Sequence, residues 1–81
     1  MIRRVLEKDS RIIEYLEKRG LLERYQKAKA RVISGDLSAV DFKKRKPKTS
    51  DMYQFRITDK YRAFCYLDES DVVVFEINDH Q

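Results

Sequence analysis

The sequence predicts an α+β domain in which two antiparallel helices pack on one face of a small antiparallel sheet of three to four strands. Three observations lead to this fold class. Residues 53–58 alternate apolar and polar side chains, the period-2 pattern of a half-buried strand. Residues 61–67 and 72–78 are rich in the aromatic and β-branched side chains that favour strands. Residues 10–19 and 21–34 carry apolar side chains at helical spacing.

Capping residues and glycines delimit both predicted helices. Asp9 or Ser10 can cap the first helix, because a side-chain oxygen accepts a hydrogen bond from an unpaired backbone N–H. Gly20 and Gly35, the only two glycines in the chain, follow the helices where a left-handed conformation is needed. The short connection predicts that the helices are antiparallel neighbours. Residues 1–8 match neither period cleanly, and on their own they would allow a helix that continues into the first one.

Strand register decides which side chains share a face of the sheet. A three-residue loop at 59–61 pairs Phe55 with Cys65 on the core face, and it places Arg56 and Arg62 together on the other face. A two-residue loop would instead put a charge in the core layer. The apolar pattern therefore favours the three-residue loop, with both arginines on the face turned away from the helices.

The register of the second hairpin follows from the same reasoning. Pairing Tyr66 with Val72 continues the apolar face, and this register sets Arg62 opposite Glu76. It also brings His80 near the end of the first hairpin. The face turned away from the helices is then expected to collect Arg56, Arg62, Phe64, Val72, Val74, Glu76 and His80.

The positive charge of the chain is concentrated in one segment. The formal net charge is +4 at pH 7. Five of the 18 basic residues lie within six positions, namely Lys43, Lys44, Arg45, Lys46 and Lys48. Because the remainder of the chain is nearly neutral, this run predicts a patch that faces a polyanion. A solvated loop would explain a short basic run equally well.

Composition excludes several classes of protein. The single cysteine, Cys65, allows no internal disulfide, which is typical of a reducing cytoplasm. It lies on the predicted core face, where we expect a structural thiol and not a nucleophile. One cysteine and one histidine cannot form a zinc site of the usual spacing, so we expect neither a metal nor a cofactor. No apolar stretch reaches the ~18 residues of a membrane span, and no secretory signal is present. Residues 1–81 are expected to form one cytoplasmic domain.

Residues 53–80, YQFRITDKYRAFCYLDESDVVVFEINDH, resemble the C-terminal half of RelE/ParE-superfamily toxins of bacterial toxin–antitoxin pairs. The stretch RITDKYR is most similar to the YoeB-like ribosome-dependent mRNA endonucleases. The resemblance covers roughly the last third of the chain. It implies a RelE-like, microbial RNase-like fold with a first strand within residues 1–8. It also implies a toxin that inhibits translation by cutting mRNA on the ribosome, in a hetero-oligomer with a cognate antitoxin protein.

RNA can be cut without a metal when its own 2′-OH attacks the adjacent phosphodiester. The protein must then stabilise negative charge on the phosphoryl oxygens and move two protons. Arg62 and Arg56 are the candidates for the phosphate contact, because the planar guanidinium binds two phosphate oxygens and stays charged. His80 is the candidate general acid, since histidine titrates near neutral pH. Glu76 could act as the base, but an ion pair with Arg62 is the favoured interpretation of that residue.

Two departures from the YoeB-like pattern leave the general base open. Close YoeB-like enzymes place a glutamate near the position of Lys43, so the resemblance shifts toward RelE-type members, which use lysines from this region. Which lysine would act is left open. The chain ends with His80 and Gln81 where YoeB-like toxins end His-Tyr, although some HigB-like members also carry an Asp shortly before a His. A histidine this near a chain end is commonly frayed, and the resemblance is what favours a catalytic role.

The remaining candidates are contacts to RNA and to a protein partner. We expect RNA binding by the basic run, with Tyr61 as the residue that could stack on a base, whereas Tyr53 belongs at the core edge. The predicted apolar strip without a covering helix consists of Phe64, Tyr66, Val72 and Val74. An antitoxin segment is the expected occupant of this strip. The N-terminal segment or a second copy of the chain are the alternative covers.

Two further functions stay open beside the mRNA endonuclease. A ParE-like toxin would bind DNA gyrase and need no nuclease site, but that branch usually lacks the terminal histidine, so His80 counts against it. A non-enzymatic nucleic-acid-binding module would use residues 43–48 and leave His80 incidental. Such a module would show strongly salt-dependent binding without cleavage.

Overall fold

The computed structural model describes residues 2–45 and 51–79, which form two layers, a pair of helices and a five-stranded sheet. The helices are α1 (Ser10–Lys18) and α2 (Leu22–Ser34), and a short 3-10 turn covers Leu37–Val40. The strands are β1 (Arg4–Glu7), β2 (Lys43–Lys44), β3 (Met52–Arg56), β4 (Arg62–Asp68) and β5 (Asp71–Asn78). The α+β class predicted from the sequence is confirmed.

The sheet is mixed and has more strands than the three to four antiparallel ones predicted. Its strand order is β1-β5-β4-β3-β2. Neighbours from β2 to β5 are antiparallel, whereas β1 is parallel to β5, with Val5 beside Val72. The N-terminal residues therefore form an edge strand. Only Val5 of β1 is fully buried, so this strand shows too little alternation for the sequence pattern to reveal it.

Both helices pack on the same face of the sheet and share a core with it. The helices contribute Ile12, Leu16, Tyr25, Ala28 and Val32. The sheet contributes Val5, Phe55, Ala63, Cys65, Val72, Val74 and Ile77. We call the other surface of the sheet the open face. Neither helix in the described part of the chain is long and apolar enough to span a membrane.

The predicted helix ends are confirmed. The Asp9 carboxylate caps α1 by accepting a hydrogen bond from the Arg11 backbone N–H at 2.9 Å. Gly20 and Gly35 follow the two helices with φ of 67° and 87°, the left-handed region in which glycine has no steric penalty. In both places the next backbone N–H reaches back to a carbonyl five residues earlier, which closes the last turn.

A buried polar contact joins β1 to α2. The Tyr25 hydroxyl donates to Glu7 Oε2 at 2.6 Å, and Lys29 Nζ lies 3.2 Å from the same oxygen. The Tyr25 ring is fully buried, and burial together with the Glu7 carboxylate raises the pKa of its hydroxyl. Tyr25 therefore stays a neutral hydrogen-bond donor. The Glu7 carboxylate is only partly exposed, and its two partners replace the water that it loses.

The first hairpin has the predicted faces but a different loop. Arg56 is directly opposite Arg62, and Phe55 is opposite Ala63 instead of Cys65. The loop therefore spans the five residues 57–61 and not the predicted three. The register differs from the prediction by two positions, and a shift of two leaves every side chain on its predicted face.

The loop of the first hairpin is held by a threonine. Thr58 Oγ1 accepts hydrogen bonds from the backbone N–H groups of Lys60 and Tyr61, at 3.1 and 3.0 Å. The Tyr61 carbonyl accepts from the N–H groups of Ile57 and Thr58. These local bonds supply partners for backbone groups that a three-residue loop would have placed in the ladder, which explains the longer loop.

The predicted register of the second hairpin is wrong near its turn. Tyr66 is opposite Val73 and not Val72, because Glu69 and Ser70 alone form the turn, with Glu69 at a left-handed φ of 55°. This odd shift moves Val72 and Val74 onto the core face, where both are 0 % exposed. The prediction that these two valines belong to a partner-binding strip on the open face is therefore wrong.

A β-bulge in the second hairpin returns Glu76 to the open face and Ile77 to the core face, as predicted. The register shifts between Phe64 and Cys65, so that Cys65 is opposite Val74 while Phe64 is opposite Glu76. Phe75 is the extra residue of β5. Because of this insertion, Val74 and Ile77 both reach the core although they are three positions apart, which a regular strand does not allow.

We predict that Tyr25→Phe lowers the free energy of unfolding by about 1.5 kcal/mol, the lower part of the range for a hydrogen bond to a charged group, because Lys29 still pairs with Glu7. Urea unfolding measures this change. Tyr15→Phe is the matched control, since the hydroxyl of half-buried Tyr15 has no hydrogen bond within the described residues. Equal losses in the two variants would contradict a stabilising Tyr25–Glu7 bond.

The bulge predicts opposite sensitivities for two adjacent valines. Val74→Thr places a hydroxyl in the core and should cost about 1–3 kcal/mol of unfolding free energy. Val73→Thr changes a half-buried side chain on the open face and should cost less than about 0.5 kcal/mol. Thermal and urea unfolding of the two variants check the order, and a larger loss for Val73→Thr would overturn the assigned register.

Candidate functional site

Positive side chains collect at one end of the open face. Arg56 and Arg62 face each other across β3 and β4. Lys43, opposite Gln54, lies on the same face, and Arg45 places its guanidinium carbon 3.8 Å from the centre of the open-face ring of Phe64. We call Lys43, Arg45, Arg56 and Arg62 the basic cluster. The helices leave this face uncovered, so the cluster is accessible to an anionic ligand.

Arg62 is held by a carboxylate that sequence reasoning missed. Its Nη1 lies 3.5 Å from Asp41 Oδ2, and Lys43 Nζ lies 3.4 Å from the same oxygen. The Arg62 side chain is only 18 % exposed. The one long ion pair leaves most of the five N–H donors of the half-buried guanidinium unengaged by Asp41.

Asp41 reaches this position through an unusual backbone conformation. It directly follows the 3-10 turn with φ of 51°, and its N–H donates to the Ser38 carbonyl at 3.2 Å. Aspartate is one of the few non-glycine residues that tolerates the left-handed region. No local sequence signal pointed to this contact, because its partner Arg62 lies 21 residues further along the chain.

Arg56 is the less neutralised member of the pair. Its side chain is exposed, and no ion pair joins it to a carboxylate within residues 2–45 and 51–79. Like charges directly opposite each other in a sheet repel. Of the two arginines, only Arg62 is paired with Asp41. An anion placed between Arg56 and Arg62 would remove this repulsion.

The predicted contact between Glu76 and Arg62 is wrong. Glu76 is opposite Phe64, and Asn78 takes the place opposite Arg62. Glu76 Oε2 instead accepts a hydrogen bond from Asn78 Nδ2 at 2.7 Å. The two-residue turn and the bulge at Phe75 are the physical reasons, because each shifts β5 by one position relative to β4. Glu76 keeps its place on the open face, one residue pair away from the arginines.

The apolar surface of the open face differs from the predicted strip. Phe64 is only 6 % exposed, since Arg45 lies over its ring. Tyr66 is half-buried and stacks on Phe75, with ring centroids 6.1 Å apart. Tyr66 is also the centre of a line of paired residues that crosses four strands. This line, which we call the apolar row, consists of Leu6, Val73, Tyr66 and Met52.

Tyr61 lies on the helical side of the hairpin loop. Its ring meets the ring of Tyr15 in α1 edge-on, with centroids 6.5 Å apart, and it packs against the core. Lys60 Nζ is 5.5 Å from the centre of the Tyr61 ring. The structure therefore does not bring Tyr61 together with the basic cluster, and base stacking by Tyr61 stays a prediction.

Of the other predicted site residues, one lies on the face of the sheet that carries the helices, and three lie outside the described residues. Lys44 is exposed and pairs with Tyr53, so it belongs to the face opposite the basic cluster. Lys46, Lys48 and His80 lie outside the described residues. Within residues 2–45 and 51–79, no group of three histidine, cysteine or acidic side chains could hold a metal ion.

Comparison of the chain with models of known protein families finds no match, and comparison with curated proteins finds none either. A functional interpretation therefore depends on the residues of this chain and their geometry.

Cys65 is buried in the core between the helices and the sheet. Burial raises the pKa of its thiol to about 12, so the nucleophilic thiolate is not formed near neutral pH. We predict that the folded protein does not react with an aromatic disulfide reagent at pH 8, whereas the protein in guanidinium reacts with one equivalent. A rapid stoichiometric reaction of the folded protein would contradict the inert role of this thiol.

Proposed function

We propose that this protein is the toxin component of a toxin–antitoxin pair and cuts ribosome-bound mRNA by metal-independent attack of the 2′-OH. The observation that carries the proposal is the direct opposition of Arg56 and Arg62 on the open face, beside Lys43 and Arg45. Two opposed guanidinium groups can bind the non-bridging oxygens of one phosphodiester and stabilise the extra negative charge of its transition state.

The two arginines have different roles in this proposal. Arg62 is half-buried beside Asp41, so burial restricts the positions from which it can contact the phosphoryl oxygens. Arg56 is exposed and can move onto the substrate as it binds. A preorganised charge stabilises a transition state more effectively than a mobile one, because little reorganisation accompanies the reaction.

Proton transfer requires further residues of the chain. His80 is the proposed general acid, and a lysine of the basic run is the proposed general base, with Glu76 as the alternative on the open face. Lys43 is the lysine that lies in the basic cluster, and it shares Asp41 with Arg62. A metal is not needed in this scheme, since the substrate supplies the nucleophile and the protein supplies the charge.

The RelE-like features of the sequence support the same function. YQFRITDKYR forms β3, the loop and the start of β4, which are the elements that carry Arg56 and Arg62. We infer a RelE-like variant of the α+β fold, action on the ribosome and a cytoplasmic location from this resemblance. The small number of acid–base groups in the basic cluster fits an enzyme whose substrate is aligned by the ribosome.

A cognate antitoxin is the proposed partner of the open face. The apolar row supplies a band of partly buried side chains next to the basic cluster. An amphipathic antitoxin segment with acidic residues would bury the row and pair with Arg56 and Lys43, which would exclude RNA. The apolar row takes the place of the predicted strip as the binding surface, because Val72 and Val74 lie in the core.

We predict that Arg62→Ala lowers the rate of mRNA cleavage by about 10²–10³-fold, the effect of losing one transition-state charge contact. Unfolding free energy should fall by less than about 1 kcal/mol, because the pair with Asp41 is long and partly exposed. Primer extension on mRNA after a pulse of expression measures the cleavage.

His80→Ala should also impair cleavage while ribosome binding is retained.

Arg3→Ala is the matched control for Arg62→Ala, since Arg3 is exposed and lies at the opposite end of the sheet beside Ser70. It should cleave like the unchanged protein. Wild-type cleavage and growth arrest by both Arg62→Ala and His80→Ala, at equal expression, would contradict the nuclease. Intact mRNA with gyrase-dependent DNA damage would instead support a ParE-like toxin.

A further inference from the structure

A second positively charged surface lies on the helical side of the sheet. A groove of about 380 Å³ runs between α2, the 3-10 turn and the loop after β3. Four basic residues line it, namely Arg24, Lys27 and Arg31 from α2 and Arg56 from β3. One carboxylate, Asp59, lies among them. We call this surface the basic groove.

The basic groove has cations that the fold itself does not neutralise. Lys27 is 3.8 Å from Glu23 and Arg31 is 3.3 Å from Asp36, and both ion pairs are exposed and therefore weak. Arg24 forms no ion pair with any residue of the described ranges, 2–45 and 51–79, and the same holds for Arg56. An anionic ligand would thus not have to displace strong internal partners.

The floor of the basic groove is apolar. It contains Ala28 and Val40, which are 5 % and 4 % exposed and belong to the core. These side chains are almost fully buried, so they close the bottom of the groove and leave the cations as its accessible part. A groove with several spaced cations suits the backbone of a nucleotide chain better than a single inorganic anion.

Arg56 belongs to both basic surfaces. It is opposite Arg62 in the sheet, and it lines the basic groove on the other side of the sheet end. The basic cluster and the groove are therefore connected through one residue. A polymer with a negative charge on every unit could follow this path around the end of β3, where Asp41 is paired with Arg62 and Lys43 and Asp59 lines the groove.

We propose that the basic groove binds the backbone of the single-stranded RNA that continues beyond the phosphodiester held by the basic cluster. The inference rests on the proposed function for its choice of RNA. Guanidinium groups bind phosphate oxygens in pairs, and Arg24 and Arg31 are seven positions apart on α2, about 10 Å along the helix axis. Contacts at this spacing would fix the path of the strand and leave bond cleavage to the basic cluster.

The test compares two variants that each remove two positive charges. Arg24→Gln with Arg31→Gln changes the groove, and Arg3→Gln with Lys18→Gln is the control, because all four residues are exposed. The probe is a labelled 12-nucleotide 2′-O-methyl RNA, which lacks the attacking hydroxyl. Its dissociation constant is measured by fluorescence anisotropy over a series of salt concentrations.

We expect the slope of log K against log salt to fall by about 1.4 in the groove variant, since two phosphate contacts to a single strand are lost. The control should keep the slope of the unchanged protein, because its charges lie away from the groove. Equal slopes for the two variants, or no binding of the probe by the unchanged protein, would overturn the proposal. Displacement of the probe by poly-glutamate of equal charge as readily as by unlabelled RNA would overturn the choice of RNA.

These outcomes are independent of mRNA cleavage. If Arg62→Ala abolishes cleavage while the groove variant binds the probe like the control, the groove proposal fails and the nuclease stands. If the groove variant shows the expected fall in slope while Arg62→Ala still cuts mRNA, the groove binds RNA and the nuclease proposal fails.

Discussion

The bulge at Phe75 is the constraint on which the sheet depends. A regular strand would send Val74 and Ile77 to opposite faces, and one of them would then leave the core. One inserted residue lets both reach the helices, and it places Glu76 and Asn78 on the open face. The distribution of charge around Arg62 therefore follows from a packing requirement of the core.

The arrangement of carboxylates gives the two basic surfaces different properties. Asp41 holds Arg62 from one side and leaves Arg56 exposed at the junction of the basic cluster and the basic groove. A half-buried arginine suits a reacting phosphate, whereas an exposed one suits a strand that must be admitted and released. The left-handed conformation of Asp41 is thus a local strain that positions charge where a ligand can use it.

Local signals predicted the parts of the fold that depend on neighbours in sequence. Asp9, Gly20 and Gly35 delimit the helices through contacts within a few residues, and the alternation in β3 placed Arg56 and Arg62 on one face. Parts that depend on distant residues were not predictable. The parallel pairing of β1, the bulge and the contact of Asp41 with Arg62 each join segments that carry no mutual signal in the sequence. Val72 and Val74 were assigned to the wrong face because the predicted register of the second hairpin was wrong by one position near its turn.

The parallel pairing of β1 with β5 has a consequence for synthesis of the chain. Arg4 and Asp71, which pair at this edge, are 67 positions apart. A ribosome adds roughly 5–20 residues per second, so β1, α1 and α2 emerge seconds before the strand against which they pack. The Glu7–Tyr25–Lys29 contact can form early, but the core cannot close around the nascent helices until β5 has left the exit tunnel. The two-layer core is therefore expected to close only after β5 has emerged, and charge on the open face would become organised only at that step.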